Sequence, residues 1–136
     1  MDGVIVTSLR RIINPKGDIF HAMKKSDPGF NSFGEAYFST VYKDNIKGWK
    51  KHTKMTLNIV VPFGEIEFVI YNEKTKNFFN IRLSQNNYKR LTLSPGLWMA
   101  FKGLSDENML LNLASMEHDP NEAINCDIEG IEYEWL

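Results

Sequence analysis

A short basic stretch contains the residue types best suited to chemistry on a charged substrate. Lysines occupy positions 43, 47, 50, 51 and 54, beside a single acid, Asp44, and around His52. An imidazole, with an ordinary pKa of about 6.5, accepts a proton at neutral pH, whereas a lysine ammonium, with an ordinary pKa of about 10.4, stabilises negative charge. We therefore expect His52 to act as a general base and Lys50 to stabilise a developing oxyanion.

The distribution of charge indicates a compact anionic partner. The chain has 16 Lys and Arg against 17 Asp and Glu, and acids predominate after residue 116. Long nucleic acids bind to broadly basic faces, which a net charge of −1 does not supply. The stretch from Lys47 to Lys54 is therefore predicted to face a pyrophosphate, with no nucleic-acid partner. The alternative is a solvated lysine face that keeps a strand edge from aggregating.

The elements that must position these residues are short strands. No long window carries the apolar periodicity of a helix, whereas alternating runs recur between turn-forming residues. Alternation at 65–70 places Ile66, Phe68 and Ile70 inward. A single all-β domain over residues 1–136 is expected, as a jelly roll, an up-and-down barrel or an Ig-like sandwich. Ten strands are predicted, at 4–9, 18–23, 35–42, 46–52, 56–61, 65–71, 78–83, 88–93, 98–102 and 109–115.

Strand alternation also divides the basic stretch between two faces. It places Gly48, Lys50 and His52 on one face. Lys47, Trp49 and Lys51 lie on the other face. A β-bulge would change this division, because one extra residue reverses the faces of the residues beyond it.

Other chemistry has little support in the sequence. The three histidines are far apart, without a second His or Cys at ligand spacing, so neither a metal nor a cofactor is expected. The single Cys126 forms no internal disulfide, which fits a reducing cytoplasm. The N-terminus does not resemble a signal peptide, and no apolar run approaches the roughly 18 residues of a membrane span. A cytoplasmic protein with no membrane partner is expected.

Five short segments together resemble a known family. They are KGDIF at 16–20, FGEAYFS at 33–39, KGWK at 47–50, PGLWMAF at 95–101 and HDPNE at 118–122. In this order they resemble the motifs of the cupin-type epimerases of nucleotide-linked deoxysugars, the dTDP-4-dehydrorhamnose 3,5-epimerase family. The resemblance covers most of the chain and implies a double-stranded β-helix, or cupin jelly roll, of about ten antiparallel strands.

The resemblance also implies roles for individual residues, several of which depart from the family's residue types. Lys50 stands at the position of the family's histidine base, Met99 at that of a second histidine, and His118 at that of the tyrosine acid. His118 is therefore expected to be a proton donor. The residues expected to bind substrate are Lys16, Glu35, Tyr37, Lys47, Trp49 and Trp98.

The basic stretch is similar to a second group as well. The sugar 3,4-ketoisomerases, cupins of about this size, carry an Arg-Gly-x-His-x-His-Lys stretch, and residues 47–52 resemble it. Lys50 stands at the first histidine of that stretch and His52 at the second.

The function implied by these resemblances is isomerisation of a nucleotide sugar. The substrate would be a dTDP-4-keto-6-deoxyhexose, and the reaction would be proton abstraction beside the ketone, in deoxysugar and surface polysaccharide biosynthesis. The alternatives are a 3,4-ketoisomerase, a cupin that binds a nucleotide sugar without turnover, and an interaction domain with a vestigial pocket. A homodimer paired through edge strands is expected.

Overall fold

Two antiparallel sheets packed face to face form the body of the protein. The structure is a computed structural model that describes residues 1–135, so that residue 136, the last of the predicted domain, lies outside the described residues. The first sheet has the order β1-β9-β6-β11-β4 and the second the order β12-β5-β10-β7-β8. A small hairpin, β2-β3, precedes them. The strands are β1 (Val4–Ser8), β2 (Arg11–Ile12), β3 (Ile19–Phe20), β4 (Glu35–Thr40), β5 (Ile46–His52), β6 (Leu57–Phe63), β7 (Glu65–Asn72), β8 (Asn77–Ser84), β9 (Lys89–Leu93), β10 (Trp98–Gly103), β11 (Met109–Ala114) and β12 (Ala123–Asn125).

This architecture is the predicted cupin jelly roll, and the predicted fold class is confirmed. Nine of the predicted strands match observed ones to within a few residues. The predicted strand at 18–23 is reduced to Ile19–Phe20, which pairs only with β2. The sequence analysis missed β2 and β12, because strands of two and three residues are too short to show alternation.

The main core lies between the two sheets. Ile66, Phe68 and Ile70 of β7 are fully buried there, as the alternation predicted. Leu57, Ile59 and Val61 of β6 face them from the first sheet. Since each fully buried aliphatic or aromatic side chain contributes about 1.5–3 kcal/mol, this interface holds the two sheets together.

A second apolar cluster covers the outer face of the second sheet. Its buried members are Trp49, Val69, Trp98 and Ala100. Residues 126–135, which we call the C-terminal strap, pack over them and include a short 3-10 helix, Ile128–Gly130. Within residues 1–135, no helix is long and apolar enough to cross a membrane.

A bulge in β5 interrupts the pairing with β10. Met99 of β10 pairs with Lys50, and Phe101, two residues on, pairs with Lys47, three residues back. One extra residue therefore lies in β5 at Gly48, whose φ is +139°. A Cβ at this position would lie 2.6 Å from the Cβ of Ala100, so the two strands approach too closely for any other residue.

Gly48→Ala is therefore expected to destabilise the protein by about 3 kcal/mol or more, because it adds backbone strain to a steric clash. Gly17→Ala is the matched control, since Gly17 has a similar φ of +135° and nothing within 4 Å of its would-be Cβ. It should cost only about 1–2 kcal/mol, the strain alone. Urea denaturation of the two variants tests this, and equal losses would contradict the close approach at Gly48.

Candidate active site

A cavity of about 980 Å³ opens between the sheets, on the side where β4 and β12 form their edges. Its size lies at the upper end of the range for small-molecule sites. Leu57, Ile59, Met99, Phe101 and Leu110 supply apolar lining. Its other lining side chains include Tyr37, Ser39, Lys47, Lys50, His52 and Asn112, and residues 125–129 form a further part of the wall.

The bulge in β5 directs both Lys47 and Lys50 into this cavity. Lys47 pairs with the inward Phe101 and Lys50 with the inward Met99. The Lys47 ammonium reaches across to the other sheet, where it donates a hydrogen bond to Ser39 Oγ at 3.4 Å. The prediction that Lys47 shares a face with Trp49 was wrong, because the extra residue at the bulge reverses the alternation.

His52 is held by a buried carboxylate. Its Nδ1 lies 2.6 Å from Oε1 of Glu122, whose side chain is only 2% exposed. The other carboxylate oxygen accepts hydrogen bonds from the backbone N–H groups of Lys54 and Met55, at 3.0 and 2.9 Å. These contacts fix both the position and the rotation of the imidazole.

The charge of Glu122 determines where the imidazole carries its proton. Burial would raise the pKa of Glu122, but hydrogen bonds from His52, Lys54 and Met55 outweigh it and lower the pKa to about 2. An ionised carboxylate only accepts hydrogen bonds, so Nδ1 of His52 must be the protonated nitrogen. In the neutral ring, Nε2 then has a free lone pair and is the nitrogen left for a substrate.

Hydrogen bonds also fix the orientation of the Tyr37 hydroxyl group. The backbone N–H of Asn58 donates to Oδ1 of Asn112 at 3.1 Å, which fixes the orientation of that amide. The Asn112 amide nitrogen therefore faces Tyr37 and donates to its hydroxyl oxygen at 3.0 Å. Since that oxygen accepts from Asn112, the hydroxyl hydrogen points elsewhere and is available to a molecule in the cavity.

Four of the predicted site residues do not line this cavity. Lys16 is exposed in the turn that joins β2 to β3, and Glu35 begins β4. His118 is exposed in the connection between β11 and β12, so the proton-donor role expected for it has no support from its position. Trp98 lies on the outer face of the second sheet, with the Lys51 ammonium 5.0 Å from the centre of its ring.

Trp49 borders the cavity but does not offer its indole to a ligand. The residue is 1% exposed and packs in the outer cluster, beneath the C-terminal strap. Its indole N–H donates to the carbonyl of Ile128 at 3.2 Å. The outward packing of this side chain gives no support to the substrate contact expected of Trp49, which stays a prediction.

Only part of the lysine cluster faces the cavity. The Nζ atom of Lys43 lies 3.9 Å from Oδ1 of Asp106. On the outer face, the Nζ atom of Lys51 lies 2.6 Å from Oε1 of Glu73. Lys54 is exposed and does not line the cavity. Of the lysines in the stretch from Lys47 to Lys54, Lys47 and Lys50 line the cavity, and the anion site stays a prediction.

Glu122 and Asn112 are the site residues for which the sequence analysis predicted no role. Glu122 closes the segment HDPNE at 118–122, so the family resemblance offered a signal for it, whereas Asn112 offered none. Within residues 1–135, no three His, Cys, Asp or Glu side chains are arranged to hold a metal ion.

Comparison with known protein families identifies the chain. The family model described as FdtA, WxcM-like, C-terminal, matches residues 2–130. The chain belongs to the FdtA family. No match was found among curated proteins.

Solved structures resemble the FdtA-family chain over nearly its whole length. A dTDP sugar isomerase from Desulfovibrio desulfuricans G20 is 29% identical, with a TM-score of 0.92, and the match covers 98% of this chain and 91% of that one. QdtA, a sugar 3,4-ketoisomerase from Thermoanaerobacterium thermosaccharolyticum in complex with TDP, is 22% identical, with a TM-score of 0.80 and coverage of 91% and 88%. A dTDP-4-dehydrorhamnose 3,5-epimerase from Sulfolobus tokodaii is 17% identical, with a TM-score of 0.86 and coverage of 98% and 82%. The resemblance drawn from the sequence to both groups of sugar enzymes is confirmed, and the last two structures show the shared fold.

Glu122→Gln is expected to change the acid stability of the protein. Because the pKa of Glu122 falls from 4.5 to about 2 on folding, its ionised form stabilises the native state above pH 4.5, and this stabilisation disappears as the pH falls towards 2. The variant should lose about 1–3 kcal/mol at pH 7 and should show a smaller further loss between pH 4.5 and 2.

Guanidinium unfolding of the wild type and the variant at a series of pH values measures this difference. Glu117→Gln is the control, since Glu117 is exposed and the substitution removes no contact to His52. Parallel pH profiles for the wild type and Glu122→Gln would contradict the assigned interaction.

Proposed function

We propose that this protein is an isomerase of a dTDP-linked 4-keto-6-deoxyhexose and that it removes a proton beside the C4 ketone. The observation that carries the proposal is the His52–Glu122 pair at the cavity wall, in which Nδ1 is bound by the carboxylate and Nε2 is the ring nitrogen left for a substrate. Membership of the FdtA family and the likeness to a dTDP sugar isomerase support the substrate class.

The first step is proton abstraction by His52. Its Nε2 takes the proton on the carbon next to the ketone, and the electron pair of that C–H bond forms the C=C bond of an enolate. Negative charge then develops on the former ketone oxygen, where the Lys50 ammonium stabilises it. Glu122 stabilises the imidazolium that forms, because its carboxylate remains ionised and hydrogen-bonded to Nδ1.

The second step returns a proton to carbon, and the site to which it returns sets the product. Tyr37 is the proposed donor, because its hydroxyl hydrogen is not used by Asn112. When the proton is taken from C3, its return to C3 on the opposite face gives an epimer. Transfer of the C3 hydroxyl proton to O4, which makes C3 the ketone carbon, together with protonation of C4, gives the 3-keto isomer. Both products share the abstraction step.

Binding of the nucleotide is the proposed role of Lys47, together with Lys50. Both lysines line the cavity, where their ammonium groups would form charge-assisted hydrogen bonds with a diphosphate. The TDP and dTDP-sugar complexes of QdtA and of the 3'-monoepimerase ChmJ support a nucleotide of this kind. The cytoplasmic location expected from the single cysteine stays a prediction.

Incubation with dTDP-4-keto-6-deoxyglucose in D₂O should introduce deuterium beside the ketone, since a removed proton exchanges with solvent. His52→Asn should lower this exchange by about 10²–10⁴-fold and leave nucleotide binding nearly intact. Tyr37→Phe should retain exchange but lower the rate of product formation. NMR of the sugar measures both and identifies the product.

His118→Asn provides the control for this assignment. His118 is exposed and does not line the cavity, so its removal should leave the exchange rate unchanged. Wild-type protein that binds the sugar nucleotide without exchange would instead favour a binding protein that has lost turnover. Exchange that survives His52→Asn would refute His52 as the base.

Lys47→Ala and Lys50→Ala should each weaken the binding of dTDP by about tenfold, the loss of one charge-assisted hydrogen bond. Lys51→Ala is the matched control, since Lys51 lies on the same strand but pairs with Glu73 on the outer face. Titration calorimetry measures the three affinities. Equal effects of all three substitutions would mean that the lysines act only through general charge.

A homodimer paired through the edge of the first sheet is part of the proposal. The edge strand β4 carries Phe38, which is 64% exposed, and Phe33 and Tyr42 near its two ends are also largely exposed. Exposed aromatic groups on an unpaired edge favour association with a second copy.

Sedimentation at micromolar concentration should therefore show a dimer. Phe38→Asp should shift it to the monomer, because a carboxylate cannot be buried at this interface without a partner. Ile13→Asp is the control, since Ile13 is similarly exposed but lies at the β2-β3 hairpin. A wild-type protein that sediments only as a monomer would refute the dimer.

A further inference from the structure

The C-terminal strap contacts both the cavity and the opposite face of the sheet that forms its wall. Residues 125–129 line the cavity. Further along, Ile131, Tyr133 and Trp135 pack on the outer cluster, and the Trp135 ring lies 6.3 Å from that of Trp49. The apolar side chains of the strap are half-buried and the acids between them are exposed, as expected of a segment packed on one side.

Trp49 is the point at which the strap meets the bulge. Its backbone N–H donates to the carbonyl of Cys126 at 2.9 Å, and the N–H of Cys126 donates back to the carbonyl of Trp49 at 3.0 Å. The indole adds a third bond, to the carbonyl of Ile128. The residue directly after Gly48 is thus held on its outer side by three hydrogen bonds and by apolar packing.

The bulge needs such a constraint. A strand with one extra residue has alternative registers, in which the residues near the bulge exchange faces. Without the bulge Lys47 and Trp49 would share a face, so a register that kept Lys47 in the cavity would also bring Trp49 into it and turn Lys50 outward. Burial of the indole under the strap stabilises the observed register over this alternative.

We propose that Trp49 is a positioning residue, through which the C-terminal strap fixes the β5 bulge and so holds the ammonium groups of Lys47 and Lys50 in the cavity. The inference rests on the proposed function only for the role of these lysines in binding the diphosphate. The strap thus controls the affinity of the site without its aromatic rings contacting the ligand.

Three variants and one control test this by calorimetry with dTDP. Trp49→Ala should weaken binding at least about tenfold, because small displacements of binding groups have effects of this size. Trp49→Phe should restore much of the affinity, since a buried ring still fills the space under the strap. Trp135→Ala, which removes only the outer ring, should weaken binding in the same direction and leaves the sheets intact if Trp49→Ala does not fold.

The control separates position from stability. Leu91→Ala removes a fully buried side chain of β9, a strand that does not border the cavity. It should lower the unfolding free energy by about 2–5 kcal/mol. Measured well below the melting temperature of the variant, its affinity for dTDP should equal that of the wild type. If Leu91→Ala weakens dTDP binding as much as Trp135→Ala does, the strap acts only through stability and the inference is overturned.

A measurement without nucleotide distinguishes failure of this inference from failure of the proposed function. Met99 lines the cavity and pairs with Lys50 beyond the bulge, so its methyl NMR signal reports the register of β5. The signal should shift in Trp49→Ala and Trp135→Ala, whereas that of Met23, far from the strap in the sequence, should not. An unchanged Met99 signal in Trp135→Ala would overturn the inference, whether or not the wild type binds dTDP.

Discussion

The contact of Glu122 with the turn between β5 and β6 is the constraint on which the site depends. The side chain accepts from His52 and from two backbone N–H groups of this turn, and the Glu122 carbonyl accepts both the backbone N–H and the hydroxyl of Thr53, at 2.9 and 2.6 Å. A buried carboxylate is costly unless it is fully paired, and here the pairing supplies both the ionised state and the fixed imidazole. The interaction that makes this burial possible also orients the imidazole as the base role proposed for His52 requires.

The second sheet completes the site through one irregularity. A regular β5 would present Lys50 and His52 to the cavity and leave Lys47 outside. The bulge adds Lys47 to the same face, while Trp49 remains on the opposite face and packs in the outer cluster. Lys47, Lys50 and His52, all on one strand, therefore line the same cavity.

Sequence reasoning succeeded where local pattern determines structure and failed where distant residues do. The alternation at 65–70 was sufficient to place Ile66, Phe68 and Ile70 in the core. The bulge could not be predicted, because it depends on how closely Gly48 approaches Ala100 on a strand about fifty residues away. The partner of His52 lies 70 residues away, beyond the reach of periodicity, and only the motif resemblance pointed to that segment. That same resemblance predicted His118 as a site residue. His118 lies in an exposed connection between strands, and its side chain does not line the cavity.

The tautomer of His52 tests the central claim most directly. Nitrogen-15 NMR of the imidazole at neutral pH distinguishes a protonated from an unprotonated ring nitrogen, and the His52→Asn spectrum assigns the signals. The account predicts that the neutral ring carries its proton on Nδ1, in a short hydrogen bond to Glu122, and that the signal of the unprotonated Nε2 moves when dTDP-4-keto-6-deoxyglucose is added. A proton on Nε2 in the neutral ring would contradict it, because that nitrogen would then have no lone pair with which to remove a proton from the sugar.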